Sequence, residues 1–137
     1  MADYTILVCD DEPHILNVVS TKLRNGGFDV VTAADGEEAF ELSQEASPDL
    51  VITDYQMPLL SGLELCAKLR SQEATRDTPV IMLTARGFSM NDDALKETNI
   101  RKVLPKPFSP RELLRCTQEI LSVAAVTAAP VPGGLPA

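Results

Sequence analysis

Short apolar runs alternate with longer amphipathic stretches along most of this chain. The runs read as strands near residues 5–9, 29–33, 49–53, 79–83 and 102–105. Three central runs are apolar almost throughout, as in strands covered by helices on both faces. Between them the period changes. Ile15, Val19 and Leu23 recur every fourth residue, as do Leu65 and Leu69, while Leu113, Cys116 and Ile120 are spaced three and four apart. Such stripes mark helices packed by one side on a sheet. Strand–helix alternation of this kind predicts an α/β domain built on a parallel sheet.

The helix starts are marked. Pro13 follows Asp11-Glu12, and a proline costs nothing in a first turn, where its missing N–H had no partner. Asp35-x-x-Glu38, Ser61-x-x-Glu64 and Ser109-x-x-Glu112 have the form of capping boxes, the last with Pro110 at the first helical position. Gly26-Gly27 reads as a helix end. From Ala124 to Ala137 the chain carries no charge and is rich in alanine, proline and glycine, which deters regular structure. The expected division is a domain over residues 3–123 and a flexible tail or linker stub over 124–137.

A length of 137 residues suits one domain with one core. The formal net charge of −8 opposes direct, nonspecific binding to nucleic acid or to an anionic membrane. No apolar stretch is long enough to span a bilayer, and Met1-Ala2-Asp3-Tyr4 lacks the features of a signal peptide, so a cytoplasmic location is expected. Cys9, Cys66 and Cys116 are scattered, which argues against a disulfide framework or a zinc site and for three small buried side chains. The single histidine, His14, is expected on a helix surface.

Candidate chemistry sits where the apolar runs stop. Asp10 and Asp11 close the first, Asp54 the third and Thr84 the fourth, and Lys106 follows Val103-Leu104-Pro105. Ligand sites in open α/β sheets form outside the carboxyl ends of the strands. Three carboxylates, a hydroxyl and an ammonium would therefore converge. Singly, an Asp-Asp pair is usually a solvated helix cap and Lys-Pro an ordinary turn; the joint placement carries the functional reading. Carboxylates about 4 Å apart repel by ~4 kcal/mol at an effective dielectric near 20. With Lys106 the one candidate ammonium, that repulsion calls for a divalent cation, and all-oxygen ligation suits Mg²⁺ (or Mn²⁺) over zinc. An ionised aspartate can act as a nucleophile and form an aspartyl-phosphate without a histidine base.

These residues resemble the receiver domain of two-component response regulators. The resemblance covers nearly all of residues 5–122. It rests on Ile6-Leu7-Val8-Cys9-Asp10-Asp11-Glu12-Pro13, on Asp54-Tyr55-Gln56-Met57-Pro58 with Gly62, on Thr84-Ala85, and on Lys106-Pro107-Phe108. It implies a doubly wound, flavodoxin-like fold with a five-stranded parallel sheet of order 2-1-3-4-5 and five flanking helices. Asp54 would be the phosphoacceptor, taking its phosphoryl group from a sensor histidine kinase or a histidine phosphotransfer protein. Asp11, Asp54 and the backbone carbonyl of Gln56 would ligate Mg²⁺, Asp10 would act through a water on the cation, and Thr84 and Lys106 would contact phosphoryl oxygens. The implied role is signalling to an output partner, not enzymatic turnover, apart from the domain's own phosphotransfer and slow autodephosphorylation. The Lys106–Pro107 bond would be cis. Many receivers also dimerise through the face formed by helix four, strand five and helix five.

At one position the chain departs from the pattern. Three residues before the site lysine, receivers usually carry an aromatic ring that turns inward on activation; here it is Val103. The expectation is that a signal passes instead through the backbone near residues 85–90. Pro105 removes a donor from the last strand, which an edge strand tolerates. Gln56 and Arg86 occupy positions that tune phosphoryl lifetime in the family, although Arg86 is equally readable as a solvated loop charge. Phe88 and Met90 each read as either core or partner surface, with core favoured for Phe88. Two competing readings are a haloacid-dehalogenase-like phosphohydrolase, which places its nucleophile after the first strand and needs a cap, and a receiver-like binding module that is never phosphorylated.

Overall fold

A computed structural model describes residues 4–57, 59–84 and 98–128, with side chains described to residue 122. Five strands, β1 (Thr5–Cys9), β2 (Asp29–Ala33), β3 (Leu50–Asp54), β4 (Val80–Thr84) and β5 (Ile100–Pro105), form one parallel sheet of order β2-β1-β3-β4-β5. Four helices lie among the described residues: α1 (Pro13–Asn25), α2 (Gly36–Ala46), α3 (Gly62–Ser71) and α4 (Pro110–Ala128). The fifth expected helix falls between β4 and β5, on residues 85–97, outside the described residues.

Alternation along the strands divides the core in two. Ile6 and Val8 of β1 face one way and pack with Val19 and Leu23 of α1 and with Leu113 and Cys116 of α4. Leu7 and Cys9 face the other way and join Ala39 of α2 and Leu65, Cys66 and Leu69 of α3. Successive strand residues point to opposite faces, so a strand that is apolar at every position is what two covered faces require. All five residues of β3 and of β4 are buried. The edge strands differ, with an exposed Asp29 in β2 and exposed Arg101 and Lys102 in β5.

β5 begins earlier than the residue-102 start expected from the sequence. Ile100 is buried and pairs with Val80, but Ile81 pairs with Lys102, so Arg101 is the extra residue of a bulge. The bulge puts two charged side chains outward in succession and hides the alternation that would have revealed the strand. Pro105 ends β5 opposite Thr84, on the sheet edge, where its missing N–H is tolerated. The last helix also exceeds expectation, running past Val123 to Ala128. Ala124, Ala125 and Ala128 are the best helix formers, and composition alone misplaces the boundary when prolines follow closely.

Local signals explain the ends. Phe28 N–H donates to Leu23 O at 3.2 Å and Gly27 N–H to Arg24 O at 3.0 Å, a Schellman termination of α1 with Gly27 at φ 98°. Ser61 and Glu64 make the full capping box at the start of α3. At α2, Asp35 caps Glu38 N–H, but the Glu38 carboxylate accepts from Ala34 N–H at 2.8 Å, one residue earlier than a standard box. At α4, Ser109 accepts from Glu112 N–H at 3.3 Å.

Candidate functional site

Every strand except β2 delivers a residue to the same end of the sheet. Asp10 continues β1 by one further ladder bond, its N–H donating to Ala33 O at 3.2 Å, and its side chain is fully buried. One of its carboxylate oxygens is fixed by Glu12 N–H at 2.9 Å. Asp11 follows at the exposed start of the loop to α1. Asp54 is the last residue of β3 and Thr84 the last of β4, and both are buried. Lys106 N–H donates to Thr84 O at 2.7 Å, which anchors the residue after β5 against the end of β4. The Lys106–Pro107 peptide bond is cis, as expected.

From that anchor the Lys106 side chain reaches back across the sheet. Its Nζ lies 3.0 Å from Asp10 Oδ2 and 3.2 Å from Asp54 Oδ1. Carboxylate oxygens of Asp10, Asp11 and Asp54 all lie within 4.8 Å of one another. Asp11 and Asp54, with Glu12, Gln56 and Lys106, line a cleft of about 320 Å³. The sequence-predicted acids and lysine are thus together; Gln56 is exposed on the cleft wall, and Thr84 is placed beside them through its bond to Lys106.

Electrostatically the cluster is under-neutralised. Burial pushes the Asp10 carboxyl above its ordinary value, against the opposing pull of the Glu12 N–H and the Lys106 ammonium. Burial also raises Asp54, and the neighbouring Asp10 charge adds to it, while Lys106 only partly offsets the rise. For Lys106, burial alone would lower the pKa, but the hydrogen bond to Asp10 and the charges of Asp10 and Asp54 outweigh it and hold the ammonium above its ordinary value. One ammonium does not balance three carboxylates, so the donor set fits a hard divalent cation.

Two features of the site escaped the sequence reading. Glu12 Oε1 lies 3.3 Å from Lys106 Nζ, a third carboxylate on the same ammonium. The run Asp10-Asp11-Glu12 was the available signal, but only its two aspartates were read as site residues and Glu12 as part of the helix start. The close approach of Gly62, a residue the sequence motif includes, is the other: a Cβ on it would stand 2.6 Å from Asp54 O and 2.7 Å from Met82 Sδ, so α3 begins hard against the backbone of Asp54. His14 is exposed on α1 and all three cysteines are buried, as expected. Val103 pairs with Met82 and is half-buried against the α2–α3 side of the core. Arg86, Phe88, Met90 and the rest of 85–90 lie outside the described residues.

Comparison with known proteins decides the family. The profile of the response regulator receiver domain matches residues 6–118. The chain belongs to the response regulator receiver family. This receiver is 37% identical over 123 residues to the alkaline phosphatase synthesis transcriptional regulatory protein PhoP of Bacillus subtilis, covering 90% of this chain and 50% of that protein. It spans about half the length of the curated relatives it matches. Among solved structures it resembles the chemotaxis response regulator CheY4 of Vibrio cholerae, with a TM-score of 0.78 and 36% identity over 88% of this chain and 98% of that one. It also resembles the receiver domain of a Pseudomonas aeruginosa sensor histidine kinase that has a magnesium ion coordinated in its active-site cleft, with a TM-score of 0.76 and 30% identity over 88% of this receiver and 99% of that chain. The phosphohydrolase reading is not favoured, because the buried Asp54 at the cleft ends the third strand in sequence, not the first.

Proposed function

We propose that Asp54 accepts a phosphoryl group from a phosphohistidine on a sensor histidine kinase or a histidine phosphotransfer protein. The observation that carries this reading is the single ammonium of Lys106 held at 3.0 and 3.2 Å by two buried acids that a third acid adjoins. Asp11, Asp54 and the Gln56 carbonyl, with Asp10 one shell out, would hold Mg²⁺ or Mn²⁺. When bound, the cation neutralises the carboxylates and the equatorial phosphoryl oxygens. An Asp54 carboxylate oxygen attacks phosphorus, the P–N bond to the donor imidazole breaks, and the electron pair leaves with that nitrogen. Lys106 then turns from Asp54 to a phosphoryl oxygen, and the Thr84 hydroxyl donates to another. Water later hydrolyses the acyl phosphate in a slow autodephosphorylation.

The output is a changed surface around the β4–β5 end, read by a partner protein. A homodimer through the face formed by the segment between β4 and β5, β5 itself and α4 is one form that output takes. Among the described residues no helix is long and apolar enough to cross a membrane. The acidic balance, a net −8, fits a cytoplasmic signalling module that leaves any nucleic-acid contact to other domains. Residues 124–137, of which 124–128 continue α4, would serve as tail or linker. The test is labelling with acetyl phosphate in the presence and absence of Mg²⁺. Wild-type protein takes label on Asp54 only with the cation, and Asp54→Asn takes none; label elsewhere, or none in the wild type, refutes the assignment.

A further inference from the structure

Lys106 is held by one more carboxylate than phosphotransfer requires. Glu12 Oε1 stands 3.3 Å from Nζ, and the Glu12 side chain is 61% exposed whereas that of Asp10 is fully buried. The ammonium has three protons and three acid neighbours, at 3.0, 3.2 and 3.3 Å. These neighbours differ in what a cation does to them. A divalent ion seated on the buried acids takes over their neutralisation and weakens their hold on Lys106, whereas Glu12 lies outside that set and keeps its hold. The Glu12 backbone is fixed, with its N–H on Asp10 Oδ1 at 2.9 Å and its carbonyl accepting from Leu16 N–H at 3.1 Å. Its side chain makes no capping bond to α1, so it is free to serve Lys106.

We propose that Glu12 is a positioning residue that restrains the Lys106 ammonium in its resting place against Asp10 and Asp54, so that the ammonium must break this ion pair to turn from Asp54 to an oxygen of the arriving phosphoryl group. The inference rests on the phosphoacceptor reading above. Glu12 and Lys106 also line both the phosphorylation cleft and an adjoining groove walled by Ile15, Val18 and Phe108, so the pair forms the partition between the two.

Reach separates a tether from a mere nearby charge. Glu12→Asp keeps the charge but is one methylene short, and Glu12→Ala removes both; neither deletes a side-chain cap of α1. Under the proposal both variants take label from acetyl phosphate, at saturating Mg²⁺, roughly two- to fivefold faster than wild type, the range an exposed ion pair spans. In metal-free protein, ¹⁵N relaxation of the Lys106 ammonium shows greater mobility in both. If Glu12→Asp matches wild type in both measurements, or if neither variant is faster, the tether is overturned. A wild-type protein that takes no label defeats the phosphoacceptor reading instead, while the relaxation data still decide whether Glu12 restrains Lys106.

Discussion

Neutralising Asp54 is expected to stabilise this fold when no cation is present. Two carboxylates 4.8 Å apart repel by ~3 kcal/mol at an effective dielectric of 20, and Lys106 at 3.2 Å returns ~5 kcal/mol. Asp54 faces two such acids, one of them exposed and screened by water, and bears a burial penalty besides. The sum disfavours the ionised form, in agreement with the upward direction of its pKa. In Asp54→Asn the repulsion and most of the burial cost vanish, while Lys106 keeps Asp10 and Glu12. The expected gain in EDTA is about 1–2 kcal/mol, or a rise in Tm of roughly 3–8 °C. The pH dependence has a definite sign. Folding raises the Asp10 and Asp54 carboxyls above 3.8, so the native state binds more protons between that value and the raised ones, and wild-type stability falls as pH climbs through the window. Asp54→Asn loses the Asp54 share of that slope. Added Mg²⁺ stabilises wild type more than the variant. Thermal melts from pH 3.5 to 7, with EDTA or MgCl₂, measure all of this. A variant that melts below wild type in EDTA at neutral pH would show that these acids do not burden one another.

Other outcomes follow from single features. Leu59 is 68% exposed at φ 72°, so Leu59→Gly relieves about 1–2 kcal/mol of left-handed strain against about 0.5–1 kcal/mol of added unfolded-state freedom, a small net rise in the urea midpoint. Gly62→Ala presses a methyl on the Asp54 carbonyl and Met82, and costs about 1–3 kcal/mol with weakened Mg²⁺ binding by calorimetry. Cys9 and Cys66, both pushed up to about 12 by burial, resist iodoacetamide in the native protein at pH 8 and react once urea unfolds it.

Strand ends were the most legible feature of the chain, because apolar runs stop where charged residues begin. The placement of Asp10, Asp54, Thr84 and Lys106 at one end of the sheet follows from that and from parallel pairing alone. Less could be read where one signal concealed another. The bulge at Arg101 disguised the first turn of pairing in β5, and alanines carried α4 through a stretch whose later prolines suggested an end. The third acid on Lys106 is a matter of side-chain reach between residues far apart in sequence, which no local pattern encodes. Gly62 was recognised as part of a motif, but its close approach to Asp54 exists only once α3 is docked.

The bond from Lys106 N–H to Thr84 O, at 2.7 Å, couples two side chains that would grip the same phosphoryl group. A backbone shift at the close of β4 would carry the lysine backbone along. Evolution therefore has little freedom to adjust the hydroxyl and the ammonium independently, and energies measured for paired substitutions at these two positions should depart from simple addition.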